Sequence, residues 1–289
     1  MKTNKAFKAL FLLHLSILLF GSAGLFGKLI MTSPAIIVAG RLFFAFMSLL
    51  LFLILSKKLM LPDPKKLLLI VLSGMILALH WYSFFKSIQL SSVGVGLIYF
   101  SSYPLFTILI ESGIFKKRIN RISFITLLLT ISGLILSYLA RQPDRMSFIA
   151  LVFGLISGIT FSILSFLNRK LTTDYPVLSL SMFQFLVAFL CLIPVLLIGG
   201  IHDLKGTDYL LLLLLGVVFT AISHTLFINS LKYIPIASVS LISCLEPVYG
   251  IFLAFFIFGE VILPLQIVGA FLIITASIME VRSQVNLSS

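Results

Sequence analysis

The chain has 289 residues, 60% hydrophobic and 10% charged, with a formal net charge of +12. A soluble domain carries about 25% charged residues, so this composition, with a mean hydropathy of +1.21, excludes that class and indicates a polytopic membrane protein. So strong a positive charge would also suit a nucleic-acid ligand, but its distribution reports membrane topology, and no nucleic-acid partner is expected.

A spanning helix needs about 20 mostly apolar residues. Ten such stretches follow one another with short connections, at approximately 9–30, 35–56, 67–86, 91–113, 122–140, 147–168, 177–199, 208–231, 236–258 and 262–280. The first follows Lys2, Lys5 and Lys8, like the start of a signal peptide, yet its apolar run exceeds the usual core of about 7–15 residues and reads as a retained helix. It carries Gly21, Ser22, Ala23, Gly24 and Gly27, and the sixth stretch carries Gly154, Ser157, Gly158 and Ser162; small residues four apart allow helices to approach closely. Arg41 lies about 9 Å below the outer surface in the second, at a rise of about 1.5 Å per residue. It has two readings: an anion-capturing or gating charge, or a side chain that snorkels to the headgroups.

The third stretch has a polar stripe, Ser73, His80, Ser83 and Ser87, with Phe84 on the same side, and the eighth repeats it as Thr220, Ser223, His224, Phe227 and Ser230. Such stripes face a bundle interior or a water-filled cavity, because lipid offers their hydroxyls and imidazoles no partner. Trp81 and Tyr82 add either an aromatic wall or, for Trp81, an interfacial anchor. Tyr99 to Pro104 in the fourth and Glu246-Pro247 in the ninth fall near mid-bilayer. Each proline removes a backbone donor, making either a hinge beside a cavity or a static kink. Glu246 is costly at that depth unless paired, hydrated or neutral, and serves either as a proton carrier or as a neutral acid bonded to a neighbouring hydroxyl. His14, His80 and His224 are titrating groups or satisfied interhelical donors. Cys191 and Cys244, inside apolar stretches, read as small buried packing residues without disulfide or metal spacing.

The two halves repeat. At a shift of 143, Pro104 falls on Pro247, Phe84 on Phe227, Ser87 on Ser230, Ala78 on Ala221, Phe115 on Phe258 and Ile135 on Ile278; at 142, Lys28 falls on Lys170 and Pro34 on Pro176. Glu246 falls opposite Tyr103, and Arg41 opposite Phe183 or Gln184, so the halves are not interchangeable there. Five spans per copy is an odd number, which inverts the second copy and yields the pseudo-two-fold geometry of alternating access. With the amino terminus inside, cytoplasmic segments hold Lys2, Lys5, Lys8, Lys57, Lys58, Lys65, Lys66, Lys116, Lys117, Arg118, Arg121, Arg169, Lys170, Lys232 and Arg282. The other side holds Lys28, Lys86, Arg141, Arg145 and Lys205, so the positive-inside rule puts both termini in the cytoplasm.

The chain resembles the EamA branch of the drug/metabolite transporter superfamily over essentially its whole length. The resemblance rests on the Pro34-to-Arg41 spacing, the run from His80 to Ser87, Ser91-Ser92-Val93 followed by Tyr103-Pro104, and Leu245-Glu246-Pro247-Val248 with Gly259-Glu260, Gln266 and Gly269. It implies an all-α polytopic membrane protein of ten transmembrane helices in two inverted five-helix repeats, 1–140 and 147–281, with a cytoplasmic tail at 282–289. It further implies a central cavity lined by helices one, three, four, six, eight and nine, and export of amino acids, drugs or other small metabolites across the bacterial cytoplasmic (inner) membrane.

The expected function is an alternating-access secondary transporter exporting a small metabolite such as an amino acid. The alternative is an exchanger of anionic or charged metabolites gathered by Arg41, Lys28 and Lys86. Lacking a His-Glu-x-x-His pair or a Gly-x-Ser-x-Gly turn, the chain makes a distant case for an intramembrane enzyme, as for a receptor. Candidate substrate contacts are His80, Trp81, Phe84, Tyr99, Ser102, Tyr103, Phe161, Ser223, His224, Phe227, Glu246 and Tyr249; candidate gate or hinge residues are Arg41, Pro104 and Pro247. Glu246, His80 and His224 are the candidates for proton coupling. The partners expected are a small-molecule substrate, the lipid bilayer and protons, with the chain acting as a monomer or homodimer and with no cofactor or metal.

Overall fold

The computed structural model describes residues 2–114, 116, 121–140, 145–199 and 204–288, and among them every regular element is helical. Lys117, Arg118 and Arg141 of the charge pattern lie outside the described residues, as do the side chains of Lys2, Lys5 and Arg145.

Helix α1 (Lys2–Ala23) and a short turn, α2 (Phe26–Leu29), make the first crossing. Helix α3 (Pro34–Leu55) starts on a proline, whose missing N–H costs nothing at a helix start, and Ser33 Oγ accepts from Ile36 N. The same logic opens α4 (Pro64–Leu90), where the Asp63 carboxylate accepts from Lys65 N at 2.9 Å. Then come α5 (Val93–Phe100), α6 (Tyr103–Ile114), α7 (Arg121–Leu139), α8 (Arg145–Leu171) and α9 (Val177–Gly199). Helices α10 (Gly206–Gly216) and α11 (Ser223–Ser230) join through a π-helical turn, Val217–Ile222. Helices α12 (Ile236–Ser243), α13 (Glu246–Phe258) and α14 (Pro264–Ser288) complete the chain, α14 running on as helix through most of the segment expected as a tail.

Eight helical segments among the described residues are long and apolar enough to cross a membrane; Glu246–Phe258 and Pro264–Met279 are apolar but shorter. The ninth expected stretch is divided because the helix stops at Ser243 and restarts at Glu246, and the fourth is divided between Phe100 and Tyr103. In both, proline is the second residue of the new helix. Inside a continuous helix its ring would clash with the carbonyl four residues back, whereas in a first turn it fits without loss. Pro104 and Pro247 therefore restart helices instead of bending them.

Glycines decide how closely the segments approach. A Cβ at Gly154 would lie 2.3 Å from Tyr99 Cβ, and one at Gly158 2.7 Å from Ser102 Oγ, so α8 meets the α5–α6 break backbone to backbone. Alongside, α4 packs on α8, where Ser87 Oγ donates to Ala150 O at 2.8 Å. Helices α7 and α14 pair with each other at Gly133 and Gly269, where an added Cβ would meet the opposite carbonyl at 2.5 Å.

Gly259, with φ +64°, ends α13 in the left-handed region open to glycine. The turn sends Glu260 to the start of α5, where its two carboxylate oxygens accept from Val93 N and Gly94 N at 3.1 Å each. An acid satisfying the free N–H groups at a helix start is favoured by both hydrogen bonding and the helix dipole.

Cys244 is buried and its thiol donates to Ser277 Oγ, but Cys191 is exposed on the outer face of α9, not buried as expected. Between the start of α4 and the α8–α9 loop, Lys66 donates to Asp174 at 2.7 Å and holds that carboxyl below its ordinary range; an exposed pair of this kind adds little stability.

Replacing Gly154 by Ala is expected to destabilise the purified protein by about 1–3 kcal/mol through overpacking. Gly113→Ala, with nothing within 4 Å of the new methyl, should leave the melting temperature level or slightly raised. Equal melting temperatures for the two variants would refute the close α8 contact.

Candidate functional site

The central cavity grows from four polar side chains, each fixed by a local feature of its helix. Arg41 on α3 reaches the π-helical turn because Gly216 lets the helices touch: a Cβ there would sit 2.6 Å from Phe44 Cβ and 2.8 Å from Arg41 O. The widened turn gives the guanidinium two acceptors. Arg41 Nε donates to Thr220 Oγ1 at 2.8 Å and Nη2 to Phe219 O at 3.3 Å, while Thr220 passes its own hydrogen to Leu215 O. Its flat face lies over Trp81, with Cζ 4.0 Å from the ring centroid, a cation–π contact that strengthens away from water. Arg41 is 1% exposed, so the snorkelling reading is overturned: its donors are directed at protein oxygens. Trp81 is buried as part of the wall and is not an interfacial anchor.

His80 comes from α4 and bonds through Nδ1 to Ser157 O on α8 at 3.0 Å; its ring packs 5.2 Å from that of Phe161. His224 on α11 bonds through Nε2 to Gln184 Oε1 on α9 at 3.3 Å and meets Trp81 edge-on. Glu246 stands at the restart of α13, where Gly21 admits α1 so closely that a Cβ would lie 2.6 Å from Glu246 O. Among the described residues no hydrogen-bond partner meets its carboxyl, and the ion pair present is Lys66–Asp174, not Arg41–Glu246.

These groups enclose, together with Phe20, Ala23, Leu77, Trp81, Phe84, Phe100, Phe161 and Leu164, about 410 Å³ of atom-free space including its opening. A mostly apolar recess with a few convergent polar groups is the usual form of a small-molecule site. A guanidinium and a carboxyl group face one space without an ion pair between them. Among the described residues, no three His, Cys, Asp or Glu side chains converge as a metal site would require.

Of the expected contacts, His80, Trp81, Phe84, Phe161, His224 and Glu246 line the cavity, and Arg41 joins them from a helix not expected to contribute. Six do not. Tyr99 turns away into the contact with Gly154, and Ser102 faces Gly158. One residue is about 100° of helix rotation, which brings Phe100 to the cavity in place of Tyr99. Tyr103 and Phe227 form a layer behind, with ring centroids 5.1 and 5.2 Å from Phe161. Ser223 turns its hydroxyl to Phe219 O, and Tyr249 sits half-buried beside α1. Phe20, Ala23, Leu77, Phe100 and Leu164 carry no polar signal that would single them out in an apolar chain. Gln184 did carry one, as an uncharged amide deep in an apolar span.

Arg41→Lys keeps the charge but removes the planar fork, and is expected to cost about 2 kcal/mol by losing a hydrogen bond and the ring contact. A thermal unfolding curve matching the unaltered protein would show that the guanidinium is not held as described.

Comparison with known proteins agrees with this architecture. The chain is 24% identical over 268 residues to an uncharacterized transporter of Archaeoglobus fulgidus, covering 93% of this chain and 94% of that one. It is 23% identical over 257 residues to the uncharacterized transporter YojE of Bacillus subtilis, covering 85% and 84%. A solved crystal structure superposes with a TM-score of 0.71 over 98% of both chains at 14% identity, a likeness of fold. The model of the EamA-like transporter family matches residues 7–139 and again 148–281. The chain is thus a multi-pass membrane transporter and belongs to the EamA-like transporter family.

Proposed function

We propose that the protein is an alternating-access secondary transporter that exports a small zwitterionic metabolite, such as an amino acid, across the cytoplasmic membrane. One observation carries the substrate class: Arg41 and Glu246 face the same largely apolar cavity without an ion pair between them. A carboxylate suits the guanidinium, an ammonium suits the acid, and the aromatic walls take an apolar side chain. His80, Trp81, Phe84, Phe161 and His224 complete the contact surface, with Tyr103 and Phe227 shaping it from behind.

In this reading the ten stretches all cross the membrane, as two inverted repeats over 1–140 and 147–281, with both termini cytoplasmic. Support comes from the matched helix restarts at Tyr103 and Glu246, which are the same step in the 143-residue repeat, and from the bias of basic residues. Discontinuous helices at the interface of inverted repeats are where such transporters build their sites. Pro104 and Pro247 then act as hinges, and Glu246 carries the coupling proton. The cytoplasmic membrane and the outward direction follow the family resemblance. An exchanger of anions is the second reading, favoured by Arg41 in the cavity but opposed by the facing carboxyl.

A ligand that binds the folded state raises its stability by RT ln(1 + [L]/Kd). Neutral α-amino acids are expected to stabilise the purified protein and to be transported in liposomes, with both effects lost in Arg41→Gln. Stabilisation by dicarboxylates or phosphate esters alone would sink the zwitterion reading and favour the exchanger. Glu246→Gln should abolish accumulation driven by a pH gradient while sparing substrate counterflow; full gradient-driven transport in that variant rules out proton carriage by Glu246.

A further inference from the structure

Behind His224, three polar side chains from three other helices and one backbone carbonyl form a chain of bonds whose directions can be deduced. Ser73 Oγ lies 2.7 Å from Ile70 O, and a carbonyl only accepts, so the hydroxyl hydrogen points there. The reverse assignment would set two oxygens against each other at 2.7 Å with no hydrogen between them. Toward Gln184, Ser73 can then only accept, which fixes the amide orientation: Nε2 faces Ser73 at 2.8 Å and gives its second hydrogen to Asn168 Oδ1 at 2.6 Å. The remaining Gln184 atom, Oε1, faces His224 Nε2 at 3.3 Å and can only accept. His224 Nε2 therefore carries the ring hydrogen. Gln184, Ser73 and Asn168 are all fully buried, so no water competes for these bonds.

His80 is set the opposite way. Its Nδ1 lies 3.0 Å from both the carbonyl oxygen and the hydroxyl of Ser157; the carbonyl only accepts, so the arrangement that satisfies it puts the hydrogen on Nδ1, with the hydroxyl as a second acceptor. In each ring the other nitrogen, Nδ1 of His224 and Nε2 of His80, has no partner among the described residues, and both side chains line the cavity.

We propose that Gln184 is a positioning residue of the transport site: oriented by Ser73 and Asn168, it holds His224 with its hydrogen on Nε2, so that the two cavity histidines present two hydrogen-bond acceptors to the occupant. The inference rests on the transport reading above and sharpens its specificity. The site selects a molecule whose cationic end has at least two N–H groups to give, so a primary ammonium fits, and an N,N-dimethylated or quaternary analogue of the same size does not. Gln184 acts through His224 and touches no substrate itself.

The test uses full-length protein labelled with 15N-histidine, with His14 and His202 replaced by Gln so that two imidazoles remain. The two should be of opposite kinds, one with its hydrogen on Nδ1 and one on Nε2. In Gln184→Met, and in Ser73→Ala where the amide loses its anchor, the Nε2-protonated signal should split into both forms. The KM for a primary amino acid should rise about tenfold, the worth of one directed hydrogen bond, with kcat little changed. Gln184→Glu keeps an acceptor facing His224 and should keep the single signal. Two imidazoles both protonated on Nδ1, or a Gln184→Met protein with both the signal and KM unaltered, would overturn the proposal. Opposite tautomers in a protein that moves no amino acid would uphold this inference and refute the substrate reading beneath it.

Discussion

A guanidinium buried within an apolar bundle has to find its solvation in the protein, and the arrangement around the cavity follows from how Arg41 does so. Burying a charge without partners costs several kcal/mol at least. Here the charge is met by a hydroxyl, a carbonyl and the face of an indole. Two of those partners exist because the helix between Val217 and Ile222 widens, and the approach to them exists because residue 216 has no side chain. The π-helical turn frees a carbonyl that a regular helix would have engaged, in keeping with the frequent use of such turns at functional sites.

The same reasoning extends to the broken helices. Backbone groups freed at a break in an apolar bundle must be satisfied by protein or by a polar cavity. At the other end of the broken helix, the start of α5, the free N–H groups are met by Ser92 and by Glu260, whose carboxylate covers two of them. The α13 restart places Glu246 at the cavity, where the acid lies at the positive end of its helix. Charges, breaks and glycine contacts are thus one construction: helices approach where residues are small, and polar groups collect where the backbone is interrupted.

Much of this was legible before any coordinates. The polar stripes on the third and eighth stretches are buried as their spacing implied, because a period of 3.6 residues keeps Ser73, His80, Ser83 and Ser87 near one face. The prolines, expected as hinges or kinks in continuous helices, stand within three residues of what the structure shows to be breaks. What the sequence did not show was rotation: of two adjacent aromatics, Tyr99 was expected in the cavity and Phe100 occupies it. Residue identity carries no information on azimuth when every face of a helix is apolar. Arg41 was ambiguous for a related reason, since depth alone cannot distinguish a side chain that reaches the headgroups from one that finds partners inside.

By itself, the sequence determined that this is a helical membrane protein with two similar halves, that polar stripes and an acid occur within its apolar stretches, and that a proline stands in each of two of them as a hinge or a kink. Those properties follow from composition, periodicity and proline, all of which act locally. Only the tertiary structure decided that Arg41 and Glu246, 205 positions apart by their numbers, share one cavity without pairing, and that Gln184 sets the state of His224. Both depend on which helix faces meet, and that is governed by glycine contacts between segments remote in the chain, whose geometry no local pattern records.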